Sequence, residues 1–148
     1  MLLFTLSDPH HFLKNNKKVT SKIKDICKNI CQLLKISKKF IFDINITNSL
    51  EIKRINHKYR KINKVTDVIT FAFHDNKEIS TCLLGEMFIC YPFCEDYAKQ
   101  INLLLDYEFY FVIVHGILHM LGFEHKTDRE LNKMLQITET ILDNCHIK

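Results

Sequence analysis

FYFVIVHGILHMLGFEH, residues 109–125, decides the reading of this chain. Its first half is apolar or aromatic at every position, as in a helix buried inside protein. Its second half carries His115, His119 and His125, spaced H-x3-H-x5-H. A helix turns by about 100° per residue, so residues four apart differ by only about 40° in azimuth and about 6 Å along the axis. His115 and His119 can thus address one ion from consecutive turns. Gly122 follows where a helix can end in a left-handed cap, after which the chain can turn back and deliver His125. Three histidines with no fourth protein ligand nearby describe a catalytic zinc site with one position open to water, and hydrolytic chemistry. Nickel or another divalent ion competes for the same nitrogen donors.

The same spacing invites a peptidase reading. Metzincin proteases use H-E-x-x-H-x-x-G-x-x-H, and the histidines and glycine agree here. Gly116, however, stands where the glutamate base would be, so the usual proton acceptor of peptide hydrolysis is missing. Glu124 supplies a carboxylate beside the third histidine, at a position the sequence does not relate to the metal. The bland alternative is a core helix that happens to carry histidines.

Working outward, 148 residues suit one domain, 1–148, with a core of its own. Hydrophobic residues make up 47% and charged residues 26%, as in ordinary globular proteins, and the net charge of +4 is compatible with an anionic partner without specifying one. No run is long enough for a membrane span. The opening MLLFTLSDPHHF lacks the basic leader of a signal peptide, so a cytoplasmic protein is expected. The six cysteines are then reduced thiols. Cys27 and Cys31, four apart on an expected helix, read as buried small hydrophobes, with a metal site as the alternative.

Local patterns fill in the rest. Leu2 to Leu6 reads as a short strand broken by Asp8-Pro9. Thr20 is expected to cap a helix whose stripe is Ile23, Ile26, Ile30, Leu33 and Leu34. KFIFDINITN, residues 39–48, alternates with Phe40, Phe42, Ile44 and Ile46 on one face of a strand. Asn48 or Ser49 then caps a helix through Lys61. DVITFAF (67–73) and LLGEMFICY (83–91) read as strands, joined by a polar loop from His74 to Ser80. Pro92 opens a helix reaching about Leu105, and Asp106 begins the buried helix of the histidines. A last helix, Asp128 to Asn144, shows Leu131, Leu135, Ile137 and Leu142 as apolar. About five helices with a small mixed sheet give an α+β (α/β-like) domain.

A second constellation lies in the helix before Lys61. Lys53, Arg54, His57, Lys58, Arg60, Lys61 and Lys64 make the densest basic segment, with Tyr59 among them. A guanidinium there can hold a phosphate in bidentate fashion, although charged helix faces are commonplace. Thr66 and Asp67, at the mouth of the next strand, are compatible with a turn and cap.

HGILHMLGFEH, YRKINKVTDVITFAF (59–73) and LLGEMFIC (83–90) together resemble the bacterial rRNA maturation factors, the YbeY-type metal-dependent endoribonucleases. Their usual patterns are H-G-x-L-H-L-x-G-Y-D-H, N-x-x-Y-R-x-x-x-x-P-T-D-V-L-S-F and L-G-D-I, and the resemblance is strong over residues 52–125. It implies that His115, His119 and His125 hold one zinc ion, with His115 and His119 also counted as catalytic. Arg60 answers to a functional arginine near the metal that contacts RNA phosphate. Thr66 and Asp67 match the T-D pair; Gly85 and Glu86 match the G-D pair. Val65, Thr70, Glu86, Phe123 and Glu124 replace the usual proline, serine, aspartate, tyrosine and aspartate. The resemblance further implies single-strand-specific cleavage, maturation of the 3′ end of small-subunit rRNA, and ribosome quality control. It also implies contact with the small ribosomal subunit, one of its proteins and an assembly GTPase.

Overall fold

The computed structural model of the chain describes residues 1–73 and 81–148, so the expected loop from His74 to Ser80 lies outside the described residues. Among these residues four strands, β1 (Leu2–Ser7), β2 (Phe40–Thr47), β3 (Val68–Ala72) and β4 (Leu83–Cys90), form one sheet in the order β1-β2-β4-β3. β1, β2 and β4 run parallel, and β3 pairs antiparallel with β4 at the edge. The helices are α1 (Val19–Leu33), α2 (Ser49–Arg60), α3 (Tyr91–Gln100), α4 (Leu105–Met120) and α5 (Asp128–Asn144). Among the described residues, a mixed sheet with five helices is the expected α+β fold.

Strand alternation sends successive side chains to opposite faces of the sheet, and each face has its own core. Phe40, Phe42, Ile44 and Ile46 of β2 are buried as expected and join Met87 and Ile89 of β4 in the main core. Ile23, Ile26 and Ile30 of α1, Ile113 and Ile117 of α4, and Ile141 and Leu142 of α5 complete it. The other face carries Ile69, Phe71 and Phe88, which pack with Ile52 and Ile55 of α2 in a small second cluster. α2 and α4 therefore lie on opposite sides of the sheet.

α4 owes its position to composition and to one glycine. Its buried residues include Phe109, Tyr110, Val112, Ile113, Val114, Ile117 and Leu118, so almost no azimuth is left for solvent. A Cβ placed on Gly116 would stand 3.0 Å from Met87 Cε and 3.3 Å from Thr70 Oγ1, so the bare glycine lets the helix settle against β3 and β4. The helix stops in a Schellman arrangement. Gly122 adopts φ +98°, its N–H donates to the His119 carbonyl at 3.0 Å, and Phe123 N–H donates to the Leu118 carbonyl at 3.0 Å.

Several boundaries differ from expectation. Thr20 is not the cap of α1: the helix begins at Val19 after Lys18, without a side-chain cap, and Leu33 at its end is 43% exposed. Asn48 caps α2, its Oδ1 accepting from Glu51 N–H at 2.9 Å, and Ser49 is already helical. α3 ends at Gln100 rather than near Leu105 because Asn102 takes a left-handed φ of 56°, which asparagine tolerates. Ile101 to Leu104 then form an apolar turn before α4, which begins at Leu105. α5 spans the expected residues, with a capping box between Thr127 and Glu130. It buries Met134, Thr138, Ile141 and Leu142, whereas Leu131 is exposed and Leu135 and Ile137 are half-buried. Cys27 is buried in the main core and Cys31 packs beside it, as the hydrophobic reading expects.

Candidate metal centre

The last turns of α4 and the chain reversal at Gly122 bring three imidazoles together. One ligand nitrogen from each of His115, His119 and His125 lies within 4.8 Å of the others, and among the described residues no other such group of potential metal ligands forms. Nε2 of His119 stands 3.0 Å from Nε2 of His115. Tetrahedral nitrogen ligands about 2 Å from a zinc ion would be roughly 3.3 Å apart, close to this spacing. His115 and His119 are half-buried, while His125 comes from the open side.

The hydrogen bonds of these rings suit a cation. His119 Nδ1 lies 3.0 Å from the Phe123 carbonyl oxygen, an acceptor only, so Nδ1 carries the proton and Nε2 presents its lone pair. Nδ1 of His115 is buried with no hydrogen-bond partner among the described residues. Burial, reinforced by repulsion from His119 and His125, lowers the pKa of His115 to about 4. Burial also lowers that of His119, with the Phe123 hydrogen bond and Glu124 opposing and the charges of His125 and Arg60 assisting. Neutral imidazoles with converging lone pairs are what a metal ion requires. The three rings can hold one.

Arg60 ends α2 on the opposite side of the sheet, yet its charge reaches His119 around the β3 edge. The chain at this corner is pinned. Lys61 adopts a left-handed φ of 59°, and buried Asn56 donates from Nδ2 to the Lys64 carbonyl at 3.0 Å. Asp67 Oδ1 accepts from Val68 N–H at 2.7 Å and from Thr66 Oγ1 at 3.2 Å. The Asp67 carbonyl accepts from Cys90 N–H at 2.8 Å. Thr66 and Asp67 thus form the turn into β3, as the structural reading expects. Glu86 sits on β4 opposite Phe71, on the sheet face that α2 covers. Glu124 points outward and pairs with Lys126 at 3.3 Å.

Three contributors, Asn56, Phe111 and Phe123, carried no isolated signal in the sequence. Asn56 acts through the segment after Arg60, and its place four residues earlier on the same helix was the available clue. Phe111 stacks its ring on His115 at 6.1 Å and 12°, and the Phe123 carbonyl orients His119. Glu108, buried on α4, has its pKa raised by desolvation and then by Asp67. The peptidase reading fares worse than the sequence suggested. The position after His115 is packed against the Met87 and Thr70 side chains, which any side chain there would have to push aside.

Comparison with known proteins agrees with this geometry. The profile of the family described as "Endoribonuclease YbeY" matches residues 7–146. A Ureaplasma parvum protein named endoribonuclease YbeY is 37% identical over 133 residues, covering 90% of this chain and 85% of its own. Its namesake in Malacoplasma penetrans is 33% identical over 130 residues, 88% of this chain and 87% of that one. In Buchnera aphidicola a protein of the same name is 32% identical over 138 residues, with 91% and 87% covered. The solution structure of a Thermotoga maritima protein shares the fold with a TM-score of 0.65 at 22% identity, covering 98% of this chain and 89% of that one.

Proposed function

The chain belongs to the endoribonuclease YbeY family, and on that premise we propose that it is a zinc-dependent endoribonuclease that cuts single-stranded RNA. The observation that carries the proposal is the convergence of His115, His119 and His125, with an always-charged Arg60 close enough to act on His119. When bound there, zinc supplies a Lewis acid that polarises a phosphoryl oxygen and acidifies water.

The chain's own residues have separate tasks. The Phe123 carbonyl fixes the tautomer of His119, Phe111 backs the His115 ring, and burial keeps both imidazoles neutral. Arg60 is the catalytic side chain that grips the scissile phosphate and offsets charge developing on it, for which a planar fork suits better than an ammonium. Lys58, Lys61 and Lys64 lie on the same exposed corner and attract the RNA backbone. The proposed setting is the cytoplasm and maturation of the 3′ end of small-subunit rRNA, including ribosome quality control. Its partners there are the small ribosomal subunit, one of its proteins and an assembly GTPase. That part rests on family membership; among the described residues no helix is long and apolar enough to cross a membrane.

Unstructured RNA incubated with the wild type and with His115→Ala tests the activity. Cleavage by the wild type that is lost in the variant supports the nuclease. Binding of RNA with no metal-dependent cleavage would instead make the chain an assembly factor with a structural metal.

A further inference from the structure

A cleft of about 440 Å³ opens between α2 and the β3–β4 edge, walled by Ile55, Tyr59, Phe71, Phe73 and Phe88 with Glu86 among them. Tyr59 is 58% and Phe73 53% exposed. Phe71 meets Tyr59 edge-on at 5.2 Å and Phe88 at 6.0 Å, so the rings form a continuous apolar wall. The half-buried Glu86 carboxylate makes no hydrogen bond or ion pair within the described residues. Open aromatic faces beside an unpaired carboxylate are not how a chain satisfies its own core.

The surroundings indicate what covers them. Lys58 Nζ lies 5.1 Å from the Tyr59 ring, and Arg60, Lys61 and Lys64 continue the positive charge around the corner. The cleft also backs onto the histidines. A Cβ on Gly85, the neighbour of Glu86, would stand 3.0 Å from Sδ of Met120, the residue after His119. Only the β3–β4 pair separates the two sides. Tyr59 of the cleft wall directly precedes Arg60 at the end of α2, so a polyanion held at Arg60 would have a neighbouring base beside the cleft.

We propose that this cleft is a nucleobase subsite, in which an unpaired base stacks on Tyr59 and Phe73 while Glu86 accepts hydrogen bonds from its Watson–Crick edge. Guanine fits best, because its N1–H and N2–H groups are adjacent donors that a carboxylate takes in bidentate fashion. Adenine and cytosine offer one amino group, and uracil a single imino hydrogen. In a duplex those donors are paired and the ring faces covered, so the subsite excludes double strands. The inference rests on the nuclease reading only in bringing RNA to this surface.

Binding tests it without cleavage. Fluorescein-labelled hexauridylate, and the same oligomer with one central guanosine, are titrated onto the purified full chain in the presence of chelator. The guanosine oligomer should bind about tenfold more tightly, and Glu86→Gln should abolish that difference. Tyr59→Ala should weaken both oligomers by about tenfold, with Phe73→Ala as the second variant should Tyr59→Ala lower the melting temperature. Equal affinity of the wild type for both oligomers, or unchanged binding by these variants, would overturn the subsite. Guanine-selective binding by a protein that cuts no RNA would uphold the cleft and refute the nuclease. Cleavage without selectivity would do the reverse.

Discussion

α4 and α2 both deliver residues to the corner where β3 ends the sheet, but they are built in opposite ways. α4 is apolar nearly all round, rests directly on the sheet through Gly116, and exposes little beyond its histidines. α2 buries only Ile52 and Asn56 and holds its cations in solvent. The buried helix has fixed rotamers, which suits ligands that must keep their spacing to a few tenths of an ångström. The exposed helix keeps long, mobile side chains that can follow a flexible polymer. Damage on α4 should therefore strike metal and fold together, whereas damage on α2 should strike the reaction alone.

The sharpest break of that contrast is His119→Ala. It should release about one equivalent of zinc and lower RNA cleavage by roughly 10³-fold or more, as expected when several kcal/mol of metal assistance disappear. Metal analysis beside a cleavage assay checks both, and retained metal would remove His119 from the site. Gly116→Glu installs the glutamate of the protease motif. It should yield no peptidase and should destabilise folding by roughly 3–5 kcal/mol, the cost of an uncompensated buried charge, as read from urea melts. An unchanged melt would mean that α4 does not rest on its glycine.

Arg60→Ala should leave zinc content and melting temperature alone while raising the barrier to cleavage by roughly 2–4 kcal/mol, and Arg60→Lys should recover only part. Near-normal turnover in both variants would return Arg60 to the solvated surface. The acid response of metal-free protein sharpens the α4 side. Between about pH 6.5 and about 4 the unfolded chain holds a proton on His115 that the folded chain does not, so stability rises with pH across this window. The contribution, roughly 2–3 kcal/mol, is present above the unfolded pKa and lost as the pH falls through the folded one. His115→Gln should flatten that part of the profile in paired melts at pH 7.5 and 4.5. The smallest effect is that of Lys58→Ala. RNA binding should weaken modestly for every sequence, with the salt dependence reduced by about one phosphate contact and no change in melting.

The two helices also differ in how far they could be read from sequence. The metal side was legible because its geometry is local. Helical spacing of His115 and His119, and Gly122 as the stop, lie within residues 115–125, and the structure realises each. The alternation of Phe40, Phe42, Ile44 and Ile46 likewise announced β2. Arg60 was different: nothing in its own helix says that its charge is felt at His119. That proximity depends on β3 lying at the sheet edge, with α2 on the far face. The stop of α3 also went unread, because a left-handed Asn102 resembles any other asparagine until the chain around it is packed. Thr20 misled for a related reason. Its hydroxyl suits a cap, but the burial of Val19 draws the helix start two residues earlier.

The compactness of residues 115–125 also has a consequence in time. Contacts close in sequence form early in folding, whereas pairing β2 with β4 must close a loop that contains all of α2 and β3. The nitrogen ligands can meet as soon as α4 and its Gly122 turn exist, while Arg60 arrives only when the sheet is complete. A refolding chain should therefore capture zinc in a faster phase than it regains cleavage. In that interval it carries its metal but cannot yet cut RNA.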